Sequence, residues 1–334
     1  LKELKHELTV VTYYCDNHFK EELSQNEIDH IQLRPGSYWE RFWSLRRLTR
    51  DRSTDLVIAF LRTPSLLAEL ATIPAHPFKL IVSERNFYPN EFTLWRKIRL
   101  LCHLLADGLV TNSKGLKEKL ENEWPLVGKK VHHIPNGVDL SLFHPSTEEK
   151  VGQTKIVVLA KYDWQKAPQL LVESLALLEA DHPEIDFVVD WYGSLKKSSA
   201  YEETKALVHR YGLAEDVRLH GPTTEVSQIL PEAHLFVLPS RYEGMANAVG
   251  EALASGCPVI MNKQANEGEL VVDGENGFLF DGAEPIELKG ALMRYFATSL
   301  LERKEMALNA RKRAEQELSL DNFINAYIKL IETL

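Results

Sequence analysis

The sequence predicts an α/β protein of two doubly wound domains, each a parallel sheet covered by helices on both faces. Three observations carry this. Short, near-continuous apolar runs rich in Val, Ile and Leu alternate with longer helical stretches, the pattern of strands buried on both sides. The alternation occurs in two series, separated by a polar stretch, HPSTEEKVGQTK at 144–155, that reads as an interdomain linker. The 334 residues, 44% hydrophobic and 26% charged, suffice for two such domains of ordinary globular composition.

In order, the strand candidates are LTVVTYY (8–14), DLVIAF (55–60), KLIVSE (79–84), GLVTN (108–112), VHHIPN (131–136), KIVVLA (155–160), DFVVDWYG (186–193), VRLHG (217–221), LFVLPS (235–240) and PVIMN (258–262). Each is too short for a core helix and carries the β-branched or aromatic residues that suit a strand. The helix candidates lie between and after them: Trp95–Leu105, Lys114–Glu121, Pro168–Glu179, Tyr201–Tyr211, Ala246–Ala254, Glu284–Thr298, Ser299–Glu317 and Leu320–Thr333. Pro168 suits a first helical turn, and Gly256–Cys257–Pro258 stops a helix sharply before the next strand. The expected domains are 1–147 and 148–319, with a last helix at about 320–334 able to pack back on the first. Ligands bind beyond the carboxyl ends of strands in such sheets, so two sheets are expected to face each other across a binding cleft.

Composition narrows the function. Residues 1–147 hold 20 Lys+Arg against 18 Asp+Glu, and residues 148–334 hold 19 against 30, so the net charge of −9 sits in the second half. An acidic half argues against nucleic acid as a partner, since phosphate binding needs basic clusters. No apolar run is long enough to span a bilayer, and no signal peptide is visible. Cys15, Cys102 and Cys257 are few and far apart, which fits reduced thiols in a cytoplasmic protein. There is no GxGxxG, Walker A loop, HExxH, CxxC or Asp-x-Asp pair. His132 and His133 point to opposite faces of a strand and are read as structural.

The informative stretch is SRYEGMANAVGEALASG at 240–256. A buried strand ends just before it and a helix starts near Met245–Ala246, where free backbone N–H groups form an anion site. Glu243 precedes those donors and Glu251 lies further along the helix. Two carboxylates beside a phosphate make sense if they accept hydrogen bonds from vicinal hydroxyls while other residues neutralise the phosphate. A nucleotide sugar has that form. The competing reading has Glu243 complementing the helix dipole and Glu251 solvated. Positive charge is available at another strand end, where KYDWQKAP at 161–168 places Lys161 and Lys166 in a strand-to-helix loop; alone, these would pass as surface lysines.

Together these residues resemble the retaining GT-B glycosyltransferases of the family-four (glycosyl transferases group 1) type. The matching pieces are IPNGVD (134–139), KYDWQKAP (161–168), SRYEGMANAVGEALASGCPVI (240–260) and ELVVDGENGFLF (269–280), in the family's order. The resemblance covers residues 80–334 well and 1–80 loosely. It implies a GT-B fold, two Rossmann-like domains facing across a cleft. It also implies transfer of a sugar, with retention, from a nucleoside-diphosphate sugar to a glycan or lipid-linked acceptor hydroxyl in bacterial-type polysaccharide, lipopolysaccharide or glycolipid assembly. No cofactor and no metal are expected.

The resemblance further implies roles. Glu243 contacts donor-sugar hydroxyls and Glu251 holds the ribose diol. Gly244, Met245, Ala246 and Asn247 line the donor at the helix start. Lys161 and Lys166 bind the diphosphate leaving group. The base sits near Pro222 and Thr223. Arg85 in IVSERN stands near the reacting carbons, and IPNGVD is a structural hinge turn. Ala160–Lys161 and Lys166–Ala167 depart from the family's Gly-Arg and Lys-Gly, and Gln264–Gly268 replaces a Gly-Gly segment, which bears on donor choice. The family begins with a strand, a glycine-rich loop and a helix; this chain is expected to enter near that helix's end. A nucleotide-sugar epimerase, or a non-catalytic nucleotide-sugar or glycan-binding relative, is the alternative on the same scaffold.

SYWERFWSLRRLTR at 37–50 and WRKIRLL at 95–101 mix basic residues with tryptophan. That suits a peripheral membrane contact, which the resemblance to enzymes of lipid-linked acceptors also implies, at the inner face of the membrane. The competing reading buries Trp and Leu in the core with Arg as the solvated face.

Overall fold

The computed structural model describes residues 6–13, 19–33, 36–51, 54–74, 78–85, 94–150, 152–195 and 199–334. Cys15 lies outside them. The chain divides into two compact units, one of residues 1–111, 117–133 and 326–334, the other of residues 112–116 and 134–325.

The first unit runs β1 (Thr9–Thr12), α1 (Lys20–Gln25), β2 (Asp29–Gln32), α2 (Tyr38–Asp51), β3 (Leu56–Phe60), α3 (Arg62–Ala71), β4 (Lys79–Glu84), α4 (Leu94–Cys102), β5 (Gly108–Thr111), α5 (Lys114–Glu123), α6 (Pro125–Gly128) and β6 (Val131–His133). Strands β3-β4-β5-β6 form a parallel sheet in that order, and β1 and β2 form a separate parallel pair. Leu80, Ile81, Val82 and Leu109 are fully buried, as continuous apolar strands in a doubly covered sheet should be. The core also holds charge. Glu69 on α3, Glu84 at the end of β4, Arg99 on α4 and His103 just beyond it are all buried. Arg99 pairs with Glu84. His103 Nδ1 lies 2.5 Å from Glu69 Oε1, and its Nε2 lies 3.7 Å from Glu84 Oε2 without a hydrogen bond.

The second unit runs β7 (Thr154–Leu159), α7 (Pro168–Asp181), β8 (Phe187–Tyr192), α8 (Ser199–Arg210), β9 (Val217–His220), α9 (Val226–Glu232), β10 (Leu235–Leu238), α10 (Asn247–Ala254), β11 (Val259–Asn262), β12 (Gly277–Phe280), α11 (Pro285–Ala297), α12 (Leu300–Glu317) and α13 (Leu320–Thr333). Its six strands make one parallel sheet in the order β12-β11-β10-β7-β8-β9. The order reverses between β7 and β10, which is the topological switch point. The linker-like stretch at 144–150 clusters with this unit, where Lys150 reaches the Ala233 carbonyl and Lys304 holds Glu149 at 2.6 Å. The end of α13, by contrast, clusters with the first unit, with Tyr327 beside Phe60 at 6.3 Å.

Several elements lie beyond those read from the sequence: β2, α1, α2, α3, α9 and β12. The helix read at Trp95–Leu105 ends as α4 at Cys102 and tightens into a 3₁₀ turn at His103–Leu105. The strand read at 8–14 narrows to Thr9–Thr12, and VHHIPN is a strand only over Val131–His133. One expectation is overturned on α2: Trp39 and Trp43 are not core residues but 73% and 60% exposed.

Candidate functional site

Two strand-to-helix loops lie side by side at the switch point of the second unit. One runs from β7 through residues 160–167 into α7, the other from β10 through residues 239–246 into α10. They are stitched together. The Arg241 N–H donates to the Gln165 carbonyl at 2.8 Å, and Gln165 Nε2 donates to the Tyr242 carbonyl at 3.0 Å. Beneath these bonds Lys166 Nζ donates to Glu243 Oε1 at 2.5 Å. Glu243 is buried, and Gln165 Nε2 lies 3.4 Å from its second oxygen. The two residues read as lysine-for-phosphate and glutamate-for-hydroxyl thus hold each other here.

The lysine loop is shaped by the strands beneath it. Tyr162 is buried and donates its hydroxyl to the carbonyls of Trp191 and His220, at 2.8 and 3.1 Å, tying the loop to the ends of β8 and β9. Gly193 is required by close approach: a Cβ there would stand 2.1 Å from the Ala160 carbonyl oxygen. Lys166 N–H donates to Asp163 Oδ1 at 3.0 Å, and Ala167 caps α7 in the left-handed conformation, φ 47° and ψ 54°. That conformation disfavours an L side chain and explains why Lys-Gly suits this position. Lys161 is exposed, and its ammonium enters no ion pair among the described residues.

Helix α10 starts at Asn247 behind Ala246, with no side-chain cap on its first turn. Its backbone donors are therefore the kind that suit an anion. Its other end closes in a Schellman arrangement, with Gly256 at φ +66°, Gly256 N–H on the Leu253 carbonyl and Cys257 N–H on that of Ala252. Gly244 and Met245 are buried at the turn. The IPNGVD turn proves to brace this start: Asn136 N–H donates to Met245 Sδ at 3.2 Å, and Asn136 Nδ2 donates to Asn247 Oδ1 at 2.6 Å. Glu251 is partly buried, and burial raises its carboxyl above the usual range. It enters no ion pair among the described residues, so it is a desolvated carboxylate rather than a solvated helix position.

Pro222 and Thr223 follow β9, and Thr223 Oγ1 accepts the Glu225 N–H at 3.0 Å. Beside them stands a group that sequence reading missed: His220 Nε2 lies 2.7 Å from Asp190 Oδ1, and its ring stacks on Tyr192 at 4.5 Å. The available signal was Asp190, a carboxylate inside the apolar run DFVVDWYG. Arg85 belongs to the first unit, where its guanidinium lies over the Phe60 ring at 5.0 Å and donates to Ser83 Oγ at 3.2 Å. Among the described residues no three His, Cys, Asp or Glu side chains gather as a metal site would need.

The two loops, with Glu251 and His220, fall inside a family match. The model described as "Glycosyl transferases group 1" matches residues 141–313, just over half of the chain. The chain belongs to that family. The model described as "Glycosyltransferase Family 4" matches residues 1–142 of this family member. Among curated relatives, a D-inositol 3-phosphate glycosyltransferase of Arthrobacter sp. is 27% identical over 187 residues, 53% of this chain and 44% of the relative. A Campylobacter jejuni N-acetylgalactosamine-N,N'-diacetylbacillosaminyl-diphospho-undecaprenol 4-alpha-N-acetylgalactosaminyltransferase is 26% identical over 246 residues, 71% of this chain and 65% of the relative. The match to the curated relatives thus spans about half to two thirds of their length. Among solved structures, a glycosyltransferase from Rickettsia africae has a TM-score of 0.83 at 18% identity, covering 98% of this chain and 90% of that one. Anabaena Alr3699/HepE, in complex with UDP and glucose, has a TM-score of 0.81 at 19% identity, covering 98% and 92%. The family member described here has the GT-B fold, two Rossmann-like domains.

Proposed function

We propose that this chain transfers a sugar from a nucleoside-diphosphate sugar to a hydroxyl of a glycan or lipid-linked acceptor, with retention at the anomeric carbon. The observation that carries this reading is the Lys166–Glu243 pair beside the uncapped start of α10, inside the family match. A ligand entering there offers each partner a replacement: hydroxyls for Glu243, phosphate oxygens for Lys166 and Lys161. Glu251, desolvated and without a cation, suits a ribose diol. The bond from the anomeric carbon to the diphosphate breaks, a bond to the acceptor oxygen forms, and the acceptor's proton passes to the departing phosphate. Lys166, Lys161 and the α10 amides stabilise the charge that develops on that leaving group, with no metal assigned a part. The curated relatives are named as sugar transferases, which favours this reading over an epimerase or a binding module.

Thermal-shift measurement with UDP-, GDP- and ADP-sugars tests it. One of them should raise the unfolding temperature of the wild type and fail to do so for Lys166→Ala. No stabilisation by any nucleotide sugar would overturn the proposal.

A peripheral membrane contact is the second reading. Tyr38, Trp39 and Trp43 are exposed on α2, together with Leu94, Ile98 and Leu101 on α4. No helix of the described residues is long and apolar enough to cross a membrane. Co-flotation with anionic vesicles, lost in Trp39→Ala/Trp43→Ala, is the expected result.

A further inference from the structure

The outer wall of the site is aromatic. Trp164 is 61% exposed although it stands two residues before Lys166, and Tyr242 directly precedes Glu243. Their rings lie 6.3 Å apart, tilted at 54°. The indole is held in place. The Arg241 guanidinium covers it at 4.8 Å and donates from Nε to the Trp164 carbonyl at 3.3 Å. The backbone and side-chain bonds of Gln165 to Arg241 and Tyr242 fix the two loops that carry the rings.

We infer that Trp164, with Tyr242 at its side, is a platform on which the pyranose ring of a reaction partner stacks. A pyranose has an apolar C–H face and a rim of hydroxyls. A fixed aromatic ring takes the first, and a carboxylate with a lysine takes the second. Both kinds of group occur here within two residues of each other on each loop. Arg241 lies over one face of the indole, so a sugar stacks on the other. The ring's contacts set its orientation before any ligand arrives, and such preorganisation turns an exposed tryptophan into binding energy. The inference rests on the transferase reading for the identity of the sugar as a reaction partner, and it narrows that partner to a pyranoside.

Saturation-transfer NMR on the full chain, with the methyl glycosides of glucose, galactose, mannose and N-acetylglucosamine as probes, tests this directly. At least one pyranoside should receive saturation at its ring C–H protons. Trp164→Ala should weaken that binding about tenfold, and Trp164→Phe should restore most of it. Since Trp164 is exposed, Trp164→Ala should keep the wild-type unfolding temperature. Equal binding by wild type and Trp164→Ala, or no saturation of any pyranoside, overturns the platform. Displacement of the pyranoside by the stabilising nucleotide sugar assigns the ring to the donor; persistence in its presence assigns it to the acceptor. Trp164-dependent binding without stabilisation by any nucleotide sugar would keep the platform and remove the transferase.

Discussion

In the first unit, two carboxylates, a guanidinium and an imidazole are buried together, each beside an opposite charge. In the second unit the carboxylates of the candidate site stand just after β10 and on α10, where buried Glu243 has one counter-ion and partly buried Glu251 has none among the described residues. The first arrangement is closed: its charges balance inside the core, so it stabilises a fold. The second is open: Glu251 lacks the cation that a balanced core would supply, and Glu243 has a single one at the mouth of a loop. In the proposed function the missing partner arrives with a ligand.

Substitutions should separate the two sets, and the closed one should give the largest effect. His103→Ala leaves Glu69 buried without a cation, which costs about 3–5 kcal/mol of folding stability. Burial alone would lower the His103 pKa, but the hydrogen bond to Glu69 and the close carboxylates of Glu69 and Glu84 lift it to about 9. Its contribution is therefore fully present below the ordinary value of 6.5 and lost as pH rises through about 9. Burial likewise opposes ionisation of Glu84, but His103 and Arg99 outweigh it and hold the carboxyl below 4.5. That contribution is present above 4.5 and lost as pH falls through the lowered value. Urea unfolding midpoints across this range should decline on the alkaline side in the wild type and stay flatter in His103→Gln.

The contrast also marks what could be read from the chain. In the second unit most strands are continuous apolar runs and most helices are long, so period and composition reveal them. DHIQ at β2 has no such run, and α3 opens on Arg-Thr-Pro, so neither announces itself. GFLF at β12 stood inside a recognised motif and was not separated from it. The candidate site was legible as residue types only in combination, because a glutamate pair or a lysine pair at a strand end reads alone as a helix-dipole partner or a solvated surface. Their union was not, since Lys166 and Glu243 are 77 residues apart and only the strand order makes them neighbours. The closed cluster left one clue: Glu84 ends an otherwise apolar strand, and a buried carboxylate requires a partner.

Within the open set, Glu243→Ala should reduce transfer roughly 10²–10³-fold, the scale for removing one group that orients or stabilises the transition state. Its unfolding midpoint should stay near wild type, since Lys166 can turn its ammonium to solvent. A loss of stability as large as that of His103→Ala would move Glu243 into the structural class and break the comparison. Glu251→Gln should weaken nucleotide binding about tenfold, a change of about 1.4 kcal/mol. It should not lower stability. The raised pKa of Glu251 means that burial penalises its charge in the folded state, so removing that charge is neutral or favourable to folding. Titration calorimetry beside urea unfolding checks both halves.

The smallest effect tests whether the lysine loop carries strain of its own. Ala167 holds the left-handed conformation at the start of α7, where an L residue's Cβ approaches the following carbonyl oxygen. Glycine adopts that conformation without the clash but loses more freedom on folding, at a cost of roughly 0.5–1 kcal/mol. The clash costs about 1–2 kcal/mol, so the balance favours glycine. Ala167→Gly should therefore stabilise the protein by about 0.5–1 kcal/mol. Thermal unfolding would detect this, and a neutral or negative result would mean that the loop gains from alanine packing what it loses to strain. Because Ala167 directly follows Lys166, the same variant also asks whether a relaxed loop still holds the ammonium on Glu243. If Ala167→Gly gains stability and loses nucleotide binding, the strain belongs to the open site. If it gains stability and keeps wild-type nucleotide binding, the loop owes its shape to Tyr162 and the strand ends beneath it.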